Sequence, residues 1–176
     1  MAQFRLSELI MKFGVLSGKP MPETPPEIME EGTPERYLFW MKRAAEGGLP
    51  IAQLELARFH TIKWPREAAH LANEVEGLKW LERAATQSTD GRSRYNAAAI
   101  LGGFYFRGDI VPQDYQRALR WFNVVVDEKR GEFWGCGSLG GAVRSYLIRM
   151  YQERLGVEKD PTKVEYYSRT PRNVCI

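Results

Sequence analysis

The chain has 176 residues, 44% of them apolar, which is enough to bury one continuous core and makes a single compact domain the expectation. Its 25 basic and 22 acidic side chains leave a formal charge of only +3, which argues against a nucleic-acid binder. Two cysteines, Cys136 and Cys175, with no CxxC spacing and no neighbouring histidine, argue against a zinc site or a disulfide-dense secreted scaffold and read as two free thiols, with a Cys136–Cys175 bridge as the other reading.

Residues 1–16 set Arg5, Glu8 and Lys12 among apolar side chains, which breaks the uninterrupted apolar core of a signal peptide. No apolar run is long enough to span a bilayer, so membrane insertion is not expected. As written the chain is expected in the cytoplasm, or in the periplasm if a leader has been removed. This N-terminal stretch stands outside the repeats described below and reads as a cap over the first of them. Four prolines between Lys19 and Pro26 then favour an extended linker.

Thr33-Pro34 opens the first helix, with a hydroxyl for the exposed amides and a proline where no donor is needed. Apolar spacing predicts helices near 34–47, 50–62, 66–87, 93–107, 114–128, 139–154 and 161–168. Gly47-Gly48, Gly108 and Gly156 fall where helices must stop, and Asp160-Pro161 opens the last helix. Two connections are lengthened, at 86–93 and 129–141. The second carries Phe133 and Trp134 in a glycine-rich setting. These rings either meet a partner, as aromatic hot spots do, or fold back on the final hairpin.

The segments repeat. Trp40-Met41-Lys42-Arg43-Ala44-Ala45 returns as Trp80-Leu81-Glu82-Arg83-Ala84-Ala85. A 46-residue shift lays Leu101 on Leu147, Tyr105 on Tyr151, Val111 on Val157, Asp114 on Asp160, Arg117 on Lys163 and Trp121 on Tyr167. Periods of this length mark stacked helical hairpins. Outer helices are thus anchored by Trp40, Trp80, Trp121 and Tyr167, with Trp121 expected deep in the core.

Leu101-Gly102, Tyr105, Gly108, Val111, Asp114, Ala118 and Trp121-Phe122 follow in order the pattern of the SEL-one-like repeat family, relatives of the tetratricopeptide repeats, and the chain resembles that family over about residues 36–170. The other units depart from it: residues 61–76 lack the Gly-Val-Asp turn, and Ile148 replaces a glycine. The resemblance implies an all-α, short right-handed solenoid of about three antiparallel helical hairpins. The expected division is 1–32 as cap and linker, 33–170 as repeat domain and 171–176 as tail.

Chemistry at single residues is sparse. Gly135-Cys136-Gly137-Ser138 lacks the Lys-Ser/Thr of a phosphate loop. His60 aligns with Tyr105 and Tyr151 and reads as a packed aromatic substitute, while His70 reads as solvated. Asp114 and Asp160 read as helix caps. No catalytic residue, metal ligand or cofactor is expected, and the chain is read as a non-enzyme.

Setting Leu56, Leu101 and Leu147 as core anchors makes Glu55, Ile100 and Tyr146 equivalent, and likewise Arg58, Gly103 and Arg149. All six are expected to point away from the core. Partner contact is therefore assigned to Phe133, Trp134, Glu55, Arg58, Tyr146 and Arg149. The resemblance implies a protein-binding module with one protein partner, most specifically an immunity protein that occludes a secreted toxin, and the preponderance of Arg among the basic residues suits an acidic surface on that partner. A cytoplasmic scaffold or regulatory adaptor is the other reading.

Overall fold

The computed structural model describes residues 34–63, 66–127, 132–133 and 137–169. These form α1 (Pro34–Glu46), α2 (Pro50–Ile62), a 3-10 turn (Arg66–Leu71), α3 (Glu74–Gln87), α4 (Gly91–Arg107), α5 (Tyr115–Val125), α6 (Gly137–Glu153) and α7 (Pro161–Arg169). Between α5 and α6, Val126–Asp127 (β1) pairs antiparallel with Glu132–Phe133 (β2), Val126 opposite Phe133. The expected cap at 1–32, Thr33, Trp134, Cys136, Cys175 and the tail lie outside the described residues.

The chain divides into two compact units after Arg83, within α3. In the first unit, α1 turns back onto α2 through Gly47-Gly48, where Gly48 has φ +91° and Leu49 N–H donates to the Ala44 carbonyl. Gln53 braces this turn from α2, donating its side-chain amide to the Ala45 carbonyl at 3.1 Å. Trp40, Met41, Ala44 and Ala45 of α1 are buried, as are Leu54, Leu56, Ala57 and Phe59 of α2.

The single helix expected over 66–87 is instead two elements separated at Ala72-Asn73. Asn73 is the cause: its Oδ1 accepts from Glu76 N–H and its own N–H goes to His60 Nδ1, so its local hydrogen bonds compete with helix continuation. Gly77, one turn into α3, lets that helix approach α2. A Cβ there would fall 2.7 Å from Thr61 Cγ2 and 2.8 Å from His60 Cβ.

In the second unit, α4 and α5 form one hairpin, and α6 and α7 another. Helix α4 begins at Gly91, two residues earlier than its apolar spacing suggests, because Asp90 caps it by accepting from Ser93 N–H at 2.7 Å. The Ser93 side chain, and then its backbone N–H, hold the Asp90 carboxyl below its ordinary pKa. Asp114 and Asp160 are caps as expected, accepting from Arg117 and Lys163 N–H. Helix α5 ends at Val125, and its fully buried strip is Ala118, Phe122 and Val125.

Trp121 is only half-buried, which corrects its expected place in the core. The reason lies across the hairpin. Gly102 of α4 has no side chain, and a Cβ there would meet Phe122 Cε1 at 2.4 Å, so the space is filled by the Phe122 ring.

Candidate protein-binding surface

In the first unit, Glu55 and Arg58 lie one turn apart on α2 and pair at 3.1 Å, with the Arg58 side chain half-exposed. Tyr37 of α1 joins them electrostatically. Burial first, then the Glu55 charge, pushes its phenol up to about 12, while Arg58 opposes the shift. The phenol therefore stays a neutral donor and acceptor at any physiological pH.

In the second unit, Tyr146 and Arg149 of α6 are brought together with α4. The Tyr146 ring packs against Phe106 at 4.4 Å between centroids and stacks on Phe122 at 5.5 Å. Its hydroxyl accepts from Arg107 Nη1 at 2.9 Å. Arg107 also donates from Nε to Asp109 at 2.7 Å and lies over the Phe104 ring. Burial works against the Arg107 charge, but the hydrogen bonds to Asp109 and Tyr146 outweigh it and raise its pKa further. Arg149 stands over Phe106, and its Nε donates to both Glu153 oxygens at 3.1 and 3.0 Å.

Of the six positions expected to point outward, Ile100 and Gly103 are buried, which corrects that reading. Gly103 is covered by Arg107: a Cβ at 103 would lie 2.9 Å from Arg107 Nη1. The missing side chain is what lets Arg107 lie across α4 toward Tyr146. Neither Arg107 nor Phe106 stood out in sequence, because their role depends on Tyr146, 39 residues beyond Arg107. A glycine one turn before an arginine was the available signal.

Glu55 and Arg58 thus form one pair, and Tyr146 and Arg149 belong to a second cluster in the other unit. The Phe133 backbone sits in the β1–β2 pair, and Trp134 lies outside the described residues. His60 is buried with its ring edge-on to Phe59, in keeping with a packed aromatic, and His70 is exposed. Among the described residues, no group of three or more His, Cys, Asp or Glu could hold a metal ion. No helix among them is long and apolar enough to cross a membrane.

Residues 38–49, 50–88, 96–123 and 139–168 match the Sel1 repeat. The last three stretches coincide with the hairpins α2–α3, α4–α5 and α6–α7, and the first with most of α1 and the turn after it. A solved Sel1 repeat protein from Oxalobacter formigenes superposes with a TM-score of 0.58 at 22% identity. The match covers 94% of this chain and 56% of that one, so the chain spans little more than half of that relative. No curated protein matches. Sel1 repeats are protein-binding helical modules. With its repeats matched over more than half of its length, the chain belongs to the Sel1 repeat family.

Proposed function

We propose that this chain binds a single protein partner with an acidic surface through the α4–α6 face, and that it serves as an immunity protein which occludes a secreted toxin. The observation that carries the reading is the way Arg149 is held. Its Nε is occupied by Glu153 and its side chain is 57% exposed, while its two terminal nitrogens have no partner among the described residues. A guanidinium oriented by its own helix and left open at the fork suits a carboxylate from another molecule. Beside it, the Tyr146 ring is fixed by Phe106, Phe122 and Arg107, so little rotamer freedom would be lost on binding. Tyrosine and arginine are the residue types that dominate binding hot spots.

The test joins capture with charge reversal. Tagged protein isolated from its own cells is expected to retain one stoichiometric protein in high salt, and Arg149→Glu is expected to weaken that complex by ~10- to 100-fold, about 1.4–2.8 kcal/mol. Co-expression with the wild type, but not with Arg149→Glu, should restore growth to cells producing the partner. Unchanged affinity of Arg149→Glu would remove the α4–α6 face from the interface. A partner that harms no cell would turn the reading toward an adaptor.

A further inference from the structure

Each inner helix of the three hairpins ends in the same way. Lys63, Gly108 and Arg154 follow α2, α4 and α6 with φ of 56°, 75° and 61°. Three residues before each stands a ring: His60, Tyr105 and Tyr151. The next outer helix is then capped by Asn73, Asp114 and Asp160, and the third residue after each cap is Glu76, Arg117 or Lys163.

In the second unit these parts make a node of a backbone carbonyl, a phenol ring and a cation. Asp114 N–H donates to the Tyr105 carbonyl at 2.9 Å, and Asp160 N–H to the Tyr151 carbonyl at 3.3 Å. Arg117 lies over the Tyr105 ring at 5.5 Å. Lys163 lies over the Tyr151 ring at 4.8 Å and donates to its hydroxyl at 3.0 Å.

The first unit builds the node from different groups. Asn73 N–H donates to the His60 imidazole, at Nδ1, 3.1 Å away. The cation is replaced by Glu76, whose Oε2 lies 3.9 Å from His60 Nε2. An imidazole that accepts at Nδ1 is neutral and carries its proton on Nε2, on the Glu76 side. The ring is 6% exposed and edge-on to Phe59. Glu76 is itself shared, accepting from Trp80 Nε1 at 3.5 Å and pairing with Lys42 at 3.4 Å. The charges facing His60 are therefore Glu76 of α3 and Lys42 of α1, while His70 on the 3-10 turn is exposed and Glu74 pairs with Lys63.

We propose that the α2–α3 hairpin is a pH-responsive joint: protonation of His60 removes the acceptor of the Asn73 amide, draws Glu76 away from Lys42 and Trp80, and releases the first turn of α3. That turn borders an open groove of about 500 Å³ whose lining includes Lys42, Asn73, Glu76, Lys79, Trp80 and Arg83, so acidification reshapes this groove. The proposal is independent of the α4–α6 face.

Burial is the main force holding the imidazole below its ordinary value of 6.5; Lys42 adds to it and Glu76 opposes it. Between the lowered pKa and 6.5 the unfolded chain binds more protons than the folded one. The contribution of neutral His60 is thus complete above about 6.5 and is lost as pH falls below it toward the folded pKa.

His60 and His70 are the chain's two histidines, so both are assignable by NMR. The full chain is titrated from pH 7.5 to pH 5, with amide exchange corrected for its intrinsic pH dependence. His60 is expected to titrate below 6.5. Protection of the Asn73, Glu76 and Gly77 amides should fall by up to about tenfold per pH unit between 6.5 and the folded His60 pKa and level off below it, with α4 amides less affected. His60→Asn, which offers an amide oxygen near the Nδ1 position and cannot be protonated, should abolish the response. A His60 midpoint at or above 6.5, or an equal acid response in His60→Asn, overturns the proposal. Should His60→Asn not fold, the wild-type titration and exchange decide it.

Discussion

The α2–α3 and α4–α5 hairpins meet the same packing demand with glycine on opposite partners. In α2–α3 the small residue is Gly77 on the outer helix, and the space goes to Thr61 and His60 of the inner one. In α4–α5 it is Gly102 on the inner helix, and the space goes to Phe122 of the outer one. Complementarity of volume across the hairpin is kept while the residues that supply it change sides, as close-packed interiors require.

The largest effects should come from the α4–α5 hairpin, where the big side chain is wholly enclosed. Phe122→Ala empties the space over Gly102 and should cost about 3–5 kcal/mol in chemical denaturation. Trp121→Ala, its half-buried neighbour, should cost less than half of that. If Trp121 proved the more expensive of the two, the buried strip of α5 would not be Ala118, Phe122 and Val125, and the contrast with α3, where Trp80 and Leu81 are both buried, would disappear.

Next in size is the glycine itself. Gly102→Ala puts a methyl 2.4 Å from the Phe122 ring and should cost about 1–3 kcal/mol by overpacking. In a Phe122→Ala background the clash is gone, and the same substitution should become stabilising by up to about 1 kcal/mol, because alanine is the better helix former. The reversal of sign is the sharp result. An equal cost in both backgrounds would mean that Gly102 is kept for a reason other than Phe122.

That dependence on a partner explains what the sequence could and could not disclose. Apolar spacing and glycine stops located most helix ends to within a few residues, since both are local properties. The same spacing cannot decide between Trp121 and Phe122, which are adjacent and both aromatic. The choice is made by a missing Cβ on another helix. Likewise the outward reading of Ile100 and Gly103 failed because equivalence along the repeat says nothing of what a neighbour lays over them, here Arg107 at Gly103. The break at Asn73 was hidden for a related reason: its amide acceptor is the side chain of His60, thirteen residues earlier. His60 itself was legible as a packed ring through its alignment with two tyrosines. Its exchange of a carbonyl acceptor for an imidazole was not.

The smallest effect expected concerns the stops at the ends of the inner helices, where backbone geometry persists although the residue does not. Lys63, Gly108 and Arg154 all have positive φ, yet only the middle one is glycine. For an L-residue the left-handed conformation costs roughly 1–2 kcal/mol. Replacing it with glycine relieves that cost and returns about 0.4–1 kcal/mol through the freer unfolded chain. Arg154→Gly should therefore stabilise the second unit by about 0.5–1 kcal/mol. Lys63→Gly should gain less, because Lys63 also pairs with Glu74 at 2.8 Å and that contact would be lost. Melting curves of the two variants test the ordering: a larger gain at Lys63 than at Arg154 would mean that the Lys63–Glu74 pair contributes nothing to holding α3 against α2.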